Sequence, residues 1–155
     1  MQQRHFTFSR LLHRVGSAWR AQLNGRLRSW NIDMTTWQML SLLQQENIHY
    51  NQYMLASRLG IETSYLVRLL DRLEKRNLLK RQTDPQDRRQ KHILITPDGL
   101  ALLGEIEAEI ARLREAVLAD ISMPELENGM RLLEQILRNV TQITSNERLK
   151  SEAMQ

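Results

Sequence analysis

The chain has 155 residues, 41% hydrophobic and 26% charged, long enough for one domain with a substantial core and ordinary in composition for a folded globular protein. It has no cysteine, which excludes disulfides, thiolate metal sites and thiol redox sensing, and no leader-like or long apolar run, which points to a cytoplasmic protein without membrane association. The net charge of +4 is unevenly spread: residues 1–57 carry +4, residues 58–92 carry +5, residues 97–127 carry −6 and residues 128–155 carry +1.

In chain order, residues 6–29 read as one long helix. Leu11, Leu12, Val15, Ala18, Trp19, Leu23 and Leu27 recur with helical period, punctuated by Arg10, Arg14, Arg20 and Arg26, and the helix ends before Asn31. Thr35 or Thr36 is the expected opening of a second helix whose core-facing set is Trp37, Met39, Leu40, Leu42 and Leu43. Residues 45–51 look like a loop or a brief strand.

The central pattern follows. Met54, Leu55 and Leu59 form an apolar stripe that stops at Gly60, a residue that tolerates the positive φ of a helix terminus. A longer helix opens behind Thr63 or Ser64, either able to cap free backbone N–H groups. Leu66, Leu69, Leu70 and Leu73 recur at spacings of three and four, so one face is buried, while Ser64, Tyr65, Arg68 and Arg72 point outward as hydrogen-bond donors. Two helices joined by a short glycine-containing turn, the second with a donor-rich exposed face, make a helix-turn-helix, an arrangement that reads DNA. The basic surplus at residues 58–92, in a chain of pI 9.8, is the electrostatic footprint of phosphate binding.

Asn77 is the expected stop of this helix, after Lys75 and Arg76 near its negative end. Residues 78–83 and 92–96 then flank the turn-like DPQDRRQK as a two-stranded ribbon, a wing. Its tip presents Arg88, Arg89 and Lys91, and arginine on an extended loop suits the negative potential of a narrow minor groove. A solvated turn shaped by an Asp87–arginine pair is the plainer reading, and both can hold together.

Thr96 caps the next helix, with Pro97 in its first turn and a stripe of Leu103, Ile106, Ile110, Leu113, Val117 and Ile121. After Pro124 a last helix carries Leu126, Met130, Leu133, Leu137 and Val140 at spacings suited to helix–helix packing. Too little chain remains to cover these stripes, so an intertwined homodimer is expected, a monomeric bundle being the alternative.

The run SYLVRLLDRLEKRNLLKRQTDPQDRRQKHILITPDG resembles the signature of the MarR family of bacterial winged-helix regulators, and within it the SlyA-like branch. The resemblance rests on Asp87-Arg88-Arg89 with Ile93, Ile95 and Thr96, and on Leu66-Val67-Arg68 followed by Leu70, Asp71, Leu73 and Glu74. The order of helices extends it over nearly the whole chain. It implies a mainly α fold with a small β-wing: a winged helix-turn-helix at residues 33–97, helical dimerisation regions at 1–32 and 98–147, and a flexible tail at 148–155. It implies a homodimer on double-stranded DNA with an inverted-repeat operator. Thr63, Ser64, Tyr65, Arg68 and Arg72 would face the major groove, and Arg88, Arg89 and Lys91 would come from the wing. It also implies release by a small phenolic or carboxylate effector, for which His13, Trp19 and Trp37 are the matching candidates; both tryptophans also read as plain core residues.

Other classes fit less well. His5, His13, His49 and His92 are scattered without metal-ligand spacing, no phosphate loop or nucleophile elbow appears, and Glu105 and Glu109 read as solvated carboxylates. Neither an enzyme nor a cofactor or metal is expected. A winged-helix protein-interaction module has no need of Arg68, Arg88 and Arg89 together. A nonspecific architectural DNA-binding protein would use the same residues with strong salt sensitivity and little sequence preference.

Overall fold

The computed structural model describes the backbone of residues 2–45, 50–83 and 91–152, with side chains described to residue 145. The elements run α1 (Gln2–Leu27), a 3-10 turn (Arg28–Trp30), α2 (Met34–Leu43), α3 (Gln52–Leu59), α4 (Thr63–Lys75), β1 (Leu79–Thr83), β2 (Lys91–Ile95), α5 (Pro97–Leu118) and α6 (Met123–Glu152). The expected mainly helical chain with a small β-wing is the architecture found. The chain divides into two compact units, Met1–Leu113 and Arg114–Gln155.

In the first unit, α1 begins at Gln2, earlier than its apolar stripe suggests, and buries only Leu23 and Leu27. The chain leaves the 3-10 turn through Asn31 at φ 54°, a left-handed position that asparagine tolerates. Neither Thr35 nor Thr36 caps α2. Asp33 does, in extended conformation, accepting the Thr36 N–H at 2.7 Å, and Thr36 is itself buried. Asn51 caps α3 in the same way, accepting the Met54 N–H at 2.9 Å, and Gly60 ends that helix at φ 64°. Met54 lies on the outside of α3; the buried face is Leu55 and Ala56 with half-buried Leu59. Between α2 and α3, Tyr50 is buried and bridges Ile93, whose N–H donates to its carbonyl at 2.9 Å. Of the loop or brief strand expected at residues 45–51, the described residues show a single bridge at Tyr50.

Leu66, Leu69, Leu70 and Leu73 of α4 are all buried, as their spacing requires, and join Leu27, Met39, Leu55, Leu79, Ile93, Ile106 and Ile110 in one core. Asn77 at φ 56° ends α4, with the Leu78 N–H returning to the Leu73 carbonyl at 3.0 Å. Thr96 caps α5 as expected, its Oγ1 accepting the Gly99 N–H at 3.1 Å and donating to the Asn77 carbonyl at 2.5 Å. Leu103, Ile106, Ile110 and Leu113 bury the inner face of α5. Glu105 and Glu109 are not merely solvated. Glu105 accepts from Trp30 Nε1 at 3.0 Å, Glu107 from Trp37 Nε1 at 2.8 Å, and Glu109 pairs with Arg26 at 3.2 Å. Three alternate carboxylates thereby tie α5 to α1, the 3-10 turn and α2.

In the second unit, Glu125 reaches back over the start of α6 to cap Ser122: its Oε2 accepts from the Ser122 N–H at 3.0 Å and from the Ser122 hydroxyl at 2.5 Å. Those two bonds, the hydroxyl's first, hold the Glu125 carboxyl below its ordinary value. α6 runs to Glu152. Met130, Leu133, Leu137, Val140 and Ile143 along it are exposed, Leu137 to 67%.

Candidate nucleic-acid interface

The four buried leucines fix the rotation of α4 about its axis, and that rotation decides which side chains meet solvent. Thr63, Ser64, Tyr65, Arg68 and Arg72 are all exposed. Glu62 holds the N-cap position in extended conformation with no side-chain cap, so Thr63 and Ser64 lie inside the first turn rather than capping it. The first-turn N–H groups, with the positive end of the helix dipole, make that end suited to an anion. Arg68 makes no ion pair among the described residues. Arg72 is engaged: it lies 3.7 Å from Asp33 Oδ2, at the cap of α2.

The C-terminal half of α4 is clamped from two sides. Arg76 donates to the carbonyls of Trp30 (2.9 Å) and Asn31 (3.1 Å), bracing the helix end against the turn after α1. On the other side stands Arg81 of β1, which the sequence reading passed over. Its guanidinium lies 2.7 Å from Asp71 Oδ1 and 2.6 Å from Glu74 Oε2, with only 15% of the side chain exposed. Burial alone would lower the Arg81 pKa, but its hydrogen bonds to Asp71 and Glu74 and their charges outweigh it, and the net shift is upward. The discernible signal was a pair of carboxylates three residues apart on one helix face, followed by an arginine in the next strand.

The wing pairs in antiparallel register, Leu79 with Ile95, Arg81 with Ile93 and Thr83 with Lys91. Lys91 is exposed in the last pair before the tip. Arg88 and Arg89 lie outside the described residues, as do Asp87 and His49.

The three candidate effector residues are not gathered on one cavity wall of the chain. Trp37 lines a cavity of about 580 Å³ between α2, α3 and α5, with Ser41, Leu42, Arg58, Leu59 and Glu107. His13 lines a hollow of about 420 Å³ along α1 itself, with Leu12, Ser17 and Arg20. Trp19 is half-buried against the core. Among the described residues there is no cluster of His, Asp or Glu able to hold a metal, and no helix long and apolar enough to cross a membrane.

The MarR family model matches residues 32–91, from the residue before the α2 cap to the first residue of β2. Among solved structures, the transcriptional regulator PA3341 is 36% identical, covering 87% of this chain and 98% of its own, with TM-score 0.70. A MarR-family transcriptional regulator from Rhodococcus sp. RHA1 is 26% identical over 85% of this chain and 94% of its own, TM-score 0.68. The transcriptional repressor CouR, bound to a 23-mer DNA duplex, is 25% identical over 84% of this chain and 89% of its own, TM-score 0.69. A helix-turn-helix with an appended wing, matched by the family model and by a regulator 36% identical over most of the chain, places the protein in the MarR family of winged-helix transcriptional regulators, which are not enzymes.

Proposed function

We propose that the chain acts as a homodimer that reads an inverted-repeat operator in double-stranded DNA. In each lobe, α4 lies in the major groove with Thr63, Ser64, Tyr65 and Arg68 toward the base edges and phosphates, and Arg72 at the margin. The wing brings Arg88, Arg89 and Lys91 to the neighbouring minor groove. The observation that carries this reading is the outward face of α4: four exposed donors over four buried leucines, with Arg68 unpaired among the described residues. Arginine engages guanine bidentately, and hydroxyls at a helix N-terminus bind phosphate or base edges. The relative CouR, bound to a DNA duplex, supports double-stranded DNA as the partner.

Exposed apolar surface on the chain supports the dimer. Phe8, Leu11, Leu12 and Val15 of α1 and the Met130-to-Ile143 stripe of α6 are exposed at helical spacing. Covering these stripes would remove apolar surface from water, at about 25 cal/mol per Å² before the costs of association, which supports a second copy as their cover. Two-fold symmetry then sets half-sites about one helical turn apart, ~10 bp.

Release by a small phenolic or carboxylate effector is supported by the Trp37 cavity. Its walls offer an indole face, Leu42 and Leu59 for an aromatic ring, and Arg58 for a carboxylate.

Selection of bound duplexes from a random pool, with purified protein at near-physiological salt, tests the reading. The expected result is an enriched inverted repeat. Binding with no enriched sequence would point to an architectural DNA-binding protein, and no retained DNA to a protein-interaction module.

A further inference from the structure

Arg81 stands at the middle of β1, opposite Ile93. Ile93 directs its N–H to the Tyr50 carbonyl at 2.9 Å, and Arg81 directs its own to Glu74 Oε1 at 3.0 Å. This pair therefore exchanges no ladder bonds, and β1 turns its outer edge to α4 rather than to solvent. Glu74 grips both backbone and side chain of Arg81, one carboxylate oxygen to each, while Asp71 takes the far side of the guanidinium. At about 100° per residue, Asp71 and Glu74 lie on a strip of α4 adjacent to that of Ser64, Tyr65, Arg68 and Arg72. The ribbon is thus fastened to the flank of the helix face that meets DNA.

From this geometry we infer that Arg81 is a positioning residue for DNA binding, which with Asp71 and Glu74 sets the angle at which the wing tip meets the duplex relative to α4. The inference rests on the proposed wing contact with the groove. A two-stranded ribbon is marginally stable by itself. Left unfastened, it must be ordered each time DNA binds, and that ordering is subtracted from affinity. Fastened in advance, β1 and β2 stand at fixed separation from the proposed major-groove contacts of α4.

The test exploits opposite signs. Asp71→Ala with Glu74→Ala removes two negative charges beside the DNA-facing surface, so electrostatics alone would tighten binding. Positioning requires the reverse: affinity about tenfold weaker, the equivalent of one lost groove contact. The loss must also act through the wing, so adding Arg89→Ala to the double variant costs no further affinity. Both positions are exposed on a helix and alanine is the strongest helix former, and the thermal midpoint is measured in parallel. Arg81→Lys, which keeps the net charge and one ion pair, gives a smaller loss that also vanishes beside Arg89→Ala. Unchanged or tighter binding by the double variant, or losses that add fully to that of Arg89→Ala, would overturn the inference. If Arg89→Ala costs nothing in the parent protein, the wing contact itself fails, a result distinct from full additivity.

Discussion

Gly99, two residues into α5, is the position where a single methyl group would do most damage. A Cβ built there would lie 2.1 Å from the Leu78 carbonyl oxygen, 2.8 Å from Ile95 Cγ1 and 3.0 Å from the Leu78 carbonyl carbon. An ordinary carbon–oxygen contact is more than an ångström longer than the first of these. The obstacle is backbone, and that backbone is committed: the Leu78 carbonyl accepts the Thr96 N–H at 3.2 Å, and Thr96 in turn joins Asn77 to the cap of α5. Gly99→Ala must therefore part the start of α5 from the base of the wing. Overpacking of this kind costs about 1–3 kcal/mol, and the lost Thr96–Leu78 bond adds ~1 kcal/mol. Alanine's helix preference returns somewhat under ~1 kcal/mol in the first turn. The net loss is about 1–3 kcal/mol, and at ~2–4 °C per kcal/mol for a chain of this size the melting midpoint falls by roughly 2–12 °C. Calorimetry or far-UV dichroism at fixed protein concentration measures it, since the proposed dimerisation would make the midpoint depend on concentration. Gly104→Ala on the same helix, where an added Cβ meets nothing within 4 Å, is the comparator and should raise the midpoint. A Gly99→Ala protein as stable as the parent would show that the close approach at Leu78 is not what glycine serves there.

Three further outcomes follow from particular contacts. Asp33→Ala removes the α2 cap and the partner of Arg72, and is expected to lower unfolding free energy by about 1 kcal/mol in urea titrations; no change would mean that Thr35 or Thr36 can take over the cap. Leu133→Asp places a charge in the exposed stripe of α6, and sedimentation should then report a monomer; an unaltered dimer mass would remove α6 from the interface. The hydrogen bond from Arg112, with the charges of Arg112 and Arg26, holds the Glu109 carboxyl below its ordinary value, as Ser122 holds that of Glu125. A folded pKa below the unfolded one stabilises above the unfolded value, and that contribution disappears as pH falls through the folded one. Glu125→Gln should therefore cost stability near neutral pH and nothing once both states are protonated; equal cost at both extremes would contradict the capping account.

What could be read locally was read from period and punctuation. The four leucines of α4, the stops at Gly60 and Asn77, and the Thr96 cap depend on near neighbours in sequence, and all stand where expected. Errors arose where two local options competed. Asp33 caps α2 because its carboxylate reaches the Thr36 N–H, which leaves both threonines inside the helix. Met54 is apolar yet exposed, because Leu55, Ala56 and Leu59 supply the helical face and the small alanine carries little apolar signal in the sequence. The ties of α5 to Trp30 and Trp37 span 75 and 70 residues, and no window along the chain shows them. Arg81 sits between these cases: its partners lie ten and seven residues back, across a turn whose geometry decides whether they meet.

Those distant contacts bear on how the chain would use its positive charge. A protein that holds DNA only through phosphate attraction needs cations on a surface, and their exact placement matters little. Base edges demand more, because a bidentate hydrogen bond fails when its donor is displaced by an ångström or rotated out of plane. α4 is restrained on nearly every side. Leu66, Leu69, Leu70 and Leu73 seat it in the core; Arg76 braces its end on the Trp30 and Asn31 carbonyls; Arg72 reaches the α2 cap, and Arg81 grips Asp71 and Glu74. The exposed Arg72–Asp33 pair contributes little stability by itself, so reinforcement of the fold alone explains it poorly. It is well explained as preorganisation of a reading helix. The restraints leave Thr63, Ser64, Tyr65 and Arg68 turned outward on the first half of α4, the arrangement that the proposed sequence reading requires.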